Sequence, residues 1–198
     1  MRVIDHAERR RKIAEVAIDV IAREGLNAAT LRRIAADAGF STMAVTHFFA
    51  DKQALLNWTY KSLAQQGDDR FEEMFGQDPI DIVGVLLTMT AHDAGTRRRW
   101  RAYLAFWEQA ARDQTFAAEY RNATETGLVQ IDRVIRARNG ELPGAAEICQ
   151  QLNAMIQGIS LQSVVDENNW PVAKVRDLLN AMLDDLLGPP LTSARVLR

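Results

Sequence analysis

Hydroxyls at Thr42 and Thr46, an imidazole at His47, a thioether at Met43 and a bare methyl at Ala44 stand together between positions 42 and 47. Side chains of these types can read the edges of DNA bases. Hydroxyl and imidazole groups donate or accept hydrogen bonds, and the methyls of Thr42 and Ala44 can meet a thymine methyl. All are small or mid-sized, which allows close approach. Ser41 adds a hydroxyl at the start of the stretch, and Thr30, Arg32 and Lys52 flank it with groups suited to phosphate. A second set is aromatic. Trp100, Tyr103 and Trp107 lie at i, i+3 and i+7, with Phe106 beside them. Such a stripe either fills a core or walls an apolar pocket, where it could hold a quaternary ammonium by cation–π attraction. Met89, Met155 and Trp170 add apolar bulk as further pocket candidates.

The first set needs a helix held across another helix. Leu31, Ile34, Ala35 and Ala38 follow i, i+3, i+4, i+7, one face of a helix. Thr30 precedes them as an N-cap, and Arg33 at N3 means that the reciprocal capping box is absent. Gly39 ends the helix and Phe40 supplies the apolar contact after it. Ser41 caps the next helix, expected over 42–49, with Val45, Phe48 and Phe49 packing inward. Asp51 caps a further helix beginning at Lys52. A short turn of this kind projects the second helix so that it can enter a major groove. An ordinary helical hairpin would satisfy the same spacing.

The 198 residues are 47% hydrophobic and 25% charged, ordinary for a globular chain, with five prolines and no sustained β-branched alternation. The expected fold class is all-α, with about nine helices. Helix 1 should run over 6–24 and the fourth over 52–66, with a break at Gly67–Asp68. Later helices are expected over 78–90, 97–112, 113–138, 145–166 and 171–187. The expected domains are a helix-turn-helix unit at 1–52, a larger helical unit for ligand binding and dimerisation at 53–188, and a flexible tail at 189–198. Ile148, Leu152, Met155, Ile156 and Ile159 form one late stripe, and Val175, Leu178, Leu179, Met182, Leu183 and Leu186 another. Such a helix pair can bury one face on its own domain and pack the other against a second copy. Gly158 could permit close helix approach.

Net charge is −2 overall, but residues 1–52 carry +2 and the rest −4, a sign that suits DNA contact at the N-terminal end. Arg9, Arg10, Arg11 and Lys12 stand at the start of helix 1, where the helix dipole disfavours cations. Phosphate attraction or a solvated basic face would explain them. No apolar run is long enough to span a bilayer, no leader pattern precedes the fold, and the single Cys149 suits a reducing cytoplasm. An enzyme is not expected. His6, His47 and His92 are scattered, and there is no Gly-rich phosphate loop or nucleophile elbow. Asp68–Asp69 and Asp184–Asp185 read as solvated pairs, and no cofactor or metal is implied.

The stretch ATLRRIAADAGFSTMAVTHFFADKQALL resembles the N-terminal DNA-binding domain of the TetR family of transcriptional regulators. GFSTMAVTHFFADK resembles the BetI-like subgroup of betaine- and choline-responsive repressors. Many family members carry Tyr where this chain has Thr46, whereas that subgroup has a small hydroxyl residue there. Tyr is also common at position 48; Phe48 lacks the hydroxyl that would reach a phosphate. RRWRAYLAFWEQAARD and IQGISLQSVVDENNWPVAKVRDLLNAMLDDLL resemble the subgroup's regulatory domain. The resemblance implies phosphate contacts by Thr30 and Lys52 and base contacts from 42–47. It also implies a ligand-responsive homodimer, a repressor binding a near-palindromic operator and released by a small-molecule effector. A helical ligand-binding module or a protein adaptor that no longer reads DNA are the other readings left open.

Overall fold

The structure is a computed structural model and describes residues 6–190. Among them it contains nine α-helices and no strand. In order they are α1 (His6–Glu24), α2 (Leu31–Ala38), α3 (Thr42–Phe48), α4 (Lys52–Phe75), α5 (Ile82–Thr88), α6 (Ala94–Ala110), α7 (Gln114–Asn139), α8 (Ala145–Val165) and α9 (Val172–Leu187). Short 3-10 turns occupy Leu26–Ala28 and Glu167–Asn169. Of the tail expected at 189–198, the segment from residue 191 lies outside the described residues.

Packing divides the chain into two units. Among the described residues one comprises 6–66 and 98–120, the other 67–97 and 121–190, so the divisions fall inside α4, α6 and α7. Residues 53–66 and 98–120 therefore group with the N-terminal helices, whereas sequence spacing placed them in the larger domain. The reason lies in what they bury. Leu55, Tyr60 and Leu63 of α4 and Phe106 of α6 are enclosed, and the Tyr60 and Phe106 rings meet edge to face at 5.1 Å.

In the first unit α1 buries Ile13, Ala14, Ala17, Ile18 and Ile21, the face that a 3.6-residue period selects. Gly25, at φ 79°, turns the chain after α1, its N–H donating to the Ile21 carbonyl. Arg33 of α2 forks to Glu24 and Asp37 at 2.9 and 2.7 Å, tying α2 to the end of α1. The second unit has a core of Phe71, Leu86, Ile131, Ile135, Leu152 and Leu179, among others, drawn from α4, α5, α7, α8 and α9.

Three helix boundaries differ from expectation by three residues or more. α4 does not break at Gly67 but continues to Phe75. A glycine costs a helix interior about 1 kcal/mol, and here fully buried Phe71, a Gln130–Asp68 hydrogen bond of 2.9 Å and the Arg133–Glu72 pair outweigh it. α5 begins at Ile82 rather than near Pro79, because Asp81 caps it by accepting from the Gly84 N–H at 2.9 Å. A Cβ at position 84 would collide with that carboxylate. α6 begins at Ala94, three residues earlier than expected, where Asp93 and Thr96 exchange hydrogen bonds.

Candidate functional site

α2, the turn at Gly39 and α3 place the hydroxyl, methyl and imidazole set on one surface. Gly39 adopts the left-handed conformation at φ 73°, which a residue without Cβ reaches at little cost. Its N–H and that of Phe40 donate to the carbonyls of the last turn of α2. The Ser41 hydroxyl then accepts from the Ala44 N–H at 3.1 Å, starting α3 two residues after α2 has been capped. Val45 is the fully buried side chain of α3, and Phe49, just beyond its end, is also buried. Phe49 was expected inside this helix; its φ of −133° and ψ of 112° instead make it the C-cap. Phe48 was expected to pack inward but is half-buried, its ring edge-on to those of His6 and His47 at 5.6 and 5.5 Å.

Thr42, Met43, Thr46 and His47 are exposed, Met43 at 81%, and Ala44 is half-exposed. An apolar side chain left so bare, on the same face as exposed hydroxyl and imidazole groups, is available for contact with a partner. The Thr46 hydroxyl donates to the Met43 carbonyl at 3.0 Å. Its single proton is thereby used, so in this rotamer it faces outward as an acceptor. Thr30 accepts from the Arg33 N–H at 3.2 Å and caps α2, while its own proton stays available to a phosphate oxygen. Arg32 is exposed. Lys52 is half-buried, and its ammonium donates to the Asn27 carbonyl at 3.3 Å, which holds it beside the start of α4. Asp51 caps α4 through the Ala54 N–H at 2.7 Å. Replacing Lys52 with Ala is expected to weaken binding to all duplex sequences about equally and to lower the salt slope by about one. Titrations of specific and random duplexes across a salt series measure both; a sequence-dependent loss would contradict a phosphate role.

The aromatic stripe of α6 belongs to the same packing unit as α1–α3. Trp100 meets Tyr103 and Trp107 edge to face at 5.9 and 5.4 Å. Two rings that a single-helix reading did not include join them. Tyr60 of α4 contacts Tyr103 at 6.0 Å, and Tyr120 of α7 contacts Trp107 at 5.4 Å. Periodicity within one helix cannot reveal partners contributed by two others. Trp100 and Tyr60 are buried, while Tyr103, Trp107 and Tyr120 are half-buried. Burial pushes the Tyr60 hydroxyl up to about 12, against the opposing effect of a hydrogen bond from the Trp107 indole N–H. Tyr60 is therefore neutral near pH 7, and with Trp107 donating to its oxygen it keeps a proton to donate. Met89 and Trp170 lie in the other unit, partly buried against its core, and Met155 is in that unit too, 43% exposed on α8. The three are thus not in the packing unit that holds the α6 stripe.

Arg98, two residues before Trp100, donates to Asp19 at 2.5 Å and to Glu15 at 3.1 Å, both on α1. Arg99 donates to the Gln66 carbonyl of α4. α6 is thereby tied by charge to the helix that supports α2 and α3. Sequence spacing holds no signal for a bridge between residues some eighty positions apart.

Among the described residues no group of His, Cys, Asp and Glu is placed to hold a metal, and no helix is long and apolar enough to cross a membrane. Cys149 is buried and burial raises its thiol pKa, which leaves it a packing residue.

Residues 13–57 match the tetR family of bacterial regulatory proteins, and residues 81–188 match the C-terminal domain of BetI-type transcriptional repressors. The chain is 26% identical over 171 residues to the HTH-type transcriptional regulator PksA of Bacillus subtilis, covering 82% of each. It is 26% identical over 178 residues to the HTH-type transcriptional regulator BetI of Escherichia coli, covering 85% of this chain and 87% of that one. Among solved structures, a transcriptional regulator from Rhodococcus sp. Rha1 superposes with a TM-score of 0.80 at 23% identity, covering 91% of this chain and 97% of that one. A transcriptional regulator from Saccharomonospora viridis in complex with choline superposes with a TM-score of 0.78 at 22% identity, covering 90% and 97%.

Proposed function

Since this chain belongs to the TetR family of transcriptional regulators and carries a BetI-type C-terminal domain, we propose that it is a homodimeric repressor of its operator, released by a small quaternary ammonium effector. The observation that carries DNA reading is the division of α3. Val45 is enclosed while Thr42, Met43, Thr46 and His47 are bare, next to the capped start of α4. Two copies would set their α3 helices in successive major grooves, roughly 34–36 Å apart, on a near-palindromic duplex. Footprinting on the DNA flanking its gene tests this. A protected near-palindrome at modest salt is expected, and none at any modest salt would leave a ligand-binding module instead.

Residues of α8 and α9 support the dimer, mostly outside the stripes that periodicity picked, of which Met155 is exposed. Leu152, Ile156, Ile159, Val175, Leu179 and Leu183 are consumed by the chain's own core. Leu161, Val165 and Val172 face outward, Val165 at 78% exposure, and a Cβ at Gly158 would meet nothing within 4 Å. Gly158 therefore makes no close approach within this chain, and its open side is available to a second copy. Light scattering checks the stoichiometry, and a strict monomer would sink the dimer.

The rings around Trp107 support the effector class. Ring faces attract a cation that cannot donate hydrogen bonds, and the structurally similar regulator from Saccharomonospora viridis was solved with choline. The rings and the reading helices share one packing unit, with Arg98 spanning α6 and α1. A ligand can shift DNA binding only by binding two states unequally, and displacement of α6 would strain the Arg98 bridge. Arg98→Met is expected to leave effector-free operator binding within about threefold. It should reduce the effector-induced change in operator affinity, which for such couplings is typically about 5–150-fold. Operator titrations with and without saturating choline measure the change; an undiminished change would remove Arg98 from the coupling.

A further inference from the structure

Arg10 stands at the start of α1, where the helix dipole does not favour a cation. Its guanidinium is half-buried with Nε enclosed, and it makes no ion pair with a carboxylate among the described residues. The Cζ lies 4.7 Å from the ring centroid of Trp58 on α4, 5.7 Å from that of Phe49 and 6.0 Å from that of Phe48. Its Nη2 donates to the Phe48 carbonyl at 3.3 Å. Phe48 closes α3, so that carbonyl has no partner in its own helix and sits at the negative end of the helix dipole. His6, one turn earlier on α1, meets the Phe48 ring edge-on at 5.6 Å.

α3 needs such a hold. A helix of seven residues is too short to be stable by itself, and among its own side chains Val45 alone is fully buried. Thr46 and His47 lie in its last turn, next to the Arg10 contact, and are the side chains whose placement a loose helix end would spoil.

We infer that Arg10 is a positioning residue for DNA recognition: its stacked guanidinium fixes the end of α3 against α1 and α4, and so governs sequence preference rather than general attraction to DNA. The inference rests on the DNA-reading proposal. Arginine does here what lysine cannot, because a flat guanidinium can lie on the Trp58 ring while its edge donates to the carbonyl.

The test uses the full-length chain and a preferred duplex selected from a random pool with the wild type. Arg10→Lys keeps the charge and Trp58→Leu removes the ring beneath it. Both are expected to lower the ratio of preferred-duplex to random-duplex affinity about tenfold or more, with random-duplex affinity and salt slope unchanged. Trp58→Phe, which restores a ring face, should recover most of the preference. A folded Arg10→Lys chain that keeps the wild-type preference overturns the inference. So does an equal loss on all duplexes in Arg10→Met with a slope lower by about one, which marks a phosphate contact. Helicity is measured on the same samples, and collapse of both Arg10→Lys and Trp58→Leu would make these residues simple core and overturn it as well. A wild-type chain with no preferred duplex is a separate failure, since it removes the DNA-reading proposal itself.

Discussion

A chain with His47 replaced by alanine is expected to bind its preferred duplex about 1–3 kcal/mol more weakly, with its affinity for random duplex nearly unchanged, because a base-edge contact carries discrimination of that order. The side chain is exposed and its ring contacts are with half-buried Phe48 and exposed His6, so helicity and melting should stay near wild-type values. Thr46 calls for a finer pair of substitutions. Its proton is taken by the Met43 carbonyl, so the outward oxygen can only accept, and the base group opposite it should be a donor such as a cytosine or adenine amino group. Thr46→Val keeps the shape and one methyl but removes that acceptor. It is expected to lose preference at one position of the half-site, and Thr46→Ser to retain it. Selection of duplexes by each variant reads the change directly. A loss of helicity in either His47→Ala or Thr46→Val would assign these side chains to the core instead.

Replacing Trp107 with leucine should have two separable effects. The first is on the effector. Loss of a ring from a desolvated cation site costs about 2 kcal/mol, a fall in choline affinity of roughly thirtyfold at 1.4 kcal/mol per tenfold. The wild type should also bind choline more tightly than its neutral carbon isostere 3,3-dimethylbutanol, and the variant should lose that discrimination. Calorimetric titration measures both, and equal affinity of the wild type for the two would rule out cation–π recognition. The second effect is on stability. The Tyr60 hydroxyl is buried and accepts from the Trp107 indole. Leaving it without that donor costs about 1–3 kcal/mol. Adding Tyr60→Phe removes the stranded group, so the double variant should recover stability toward denaturant without recovering choline binding. Recovery of both would mean that Trp107 acts through packing alone.

The helix starts and stops show where sequence was a sufficient guide. Thr30, Gly39, Ser41 and Asp51 cap α2, α3 and α4 as their types and positions predict, since a cap is a contact over three or four residues. Gly67 misled for the converse reason. Its local cost is offset by Phe71 and by Asp68, whose partners are brought by distant parts of the chain. Arg10 is the clearest case of a role hidden from sequence. Its charge suggested phosphate or solvent, and the fold instead laid it on Trp58 at the end of α3.

The all-helical class, the short capped turn between α2 and α3, and the bare, hydrogen-bonding face of α3 are all properties of residues a few positions apart. Sequence by itself therefore determined them, while the family came from the resemblance of the stretch that holds them, since an ordinary helical hairpin satisfies the same spacing. Tertiary structure decided what depends on contacts between helices. It drew Tyr60 and Tyr120 into the rings around Trp107, and it joined α6 to α1 through Arg98. It also spent most of the apolar stripes of α8 and α9 on the chain's own core, leaving Met155, Leu161 and Val165 outward. Periodicity shows which residues share a helix face, but what that face meets is set by the packing of all the helices at once.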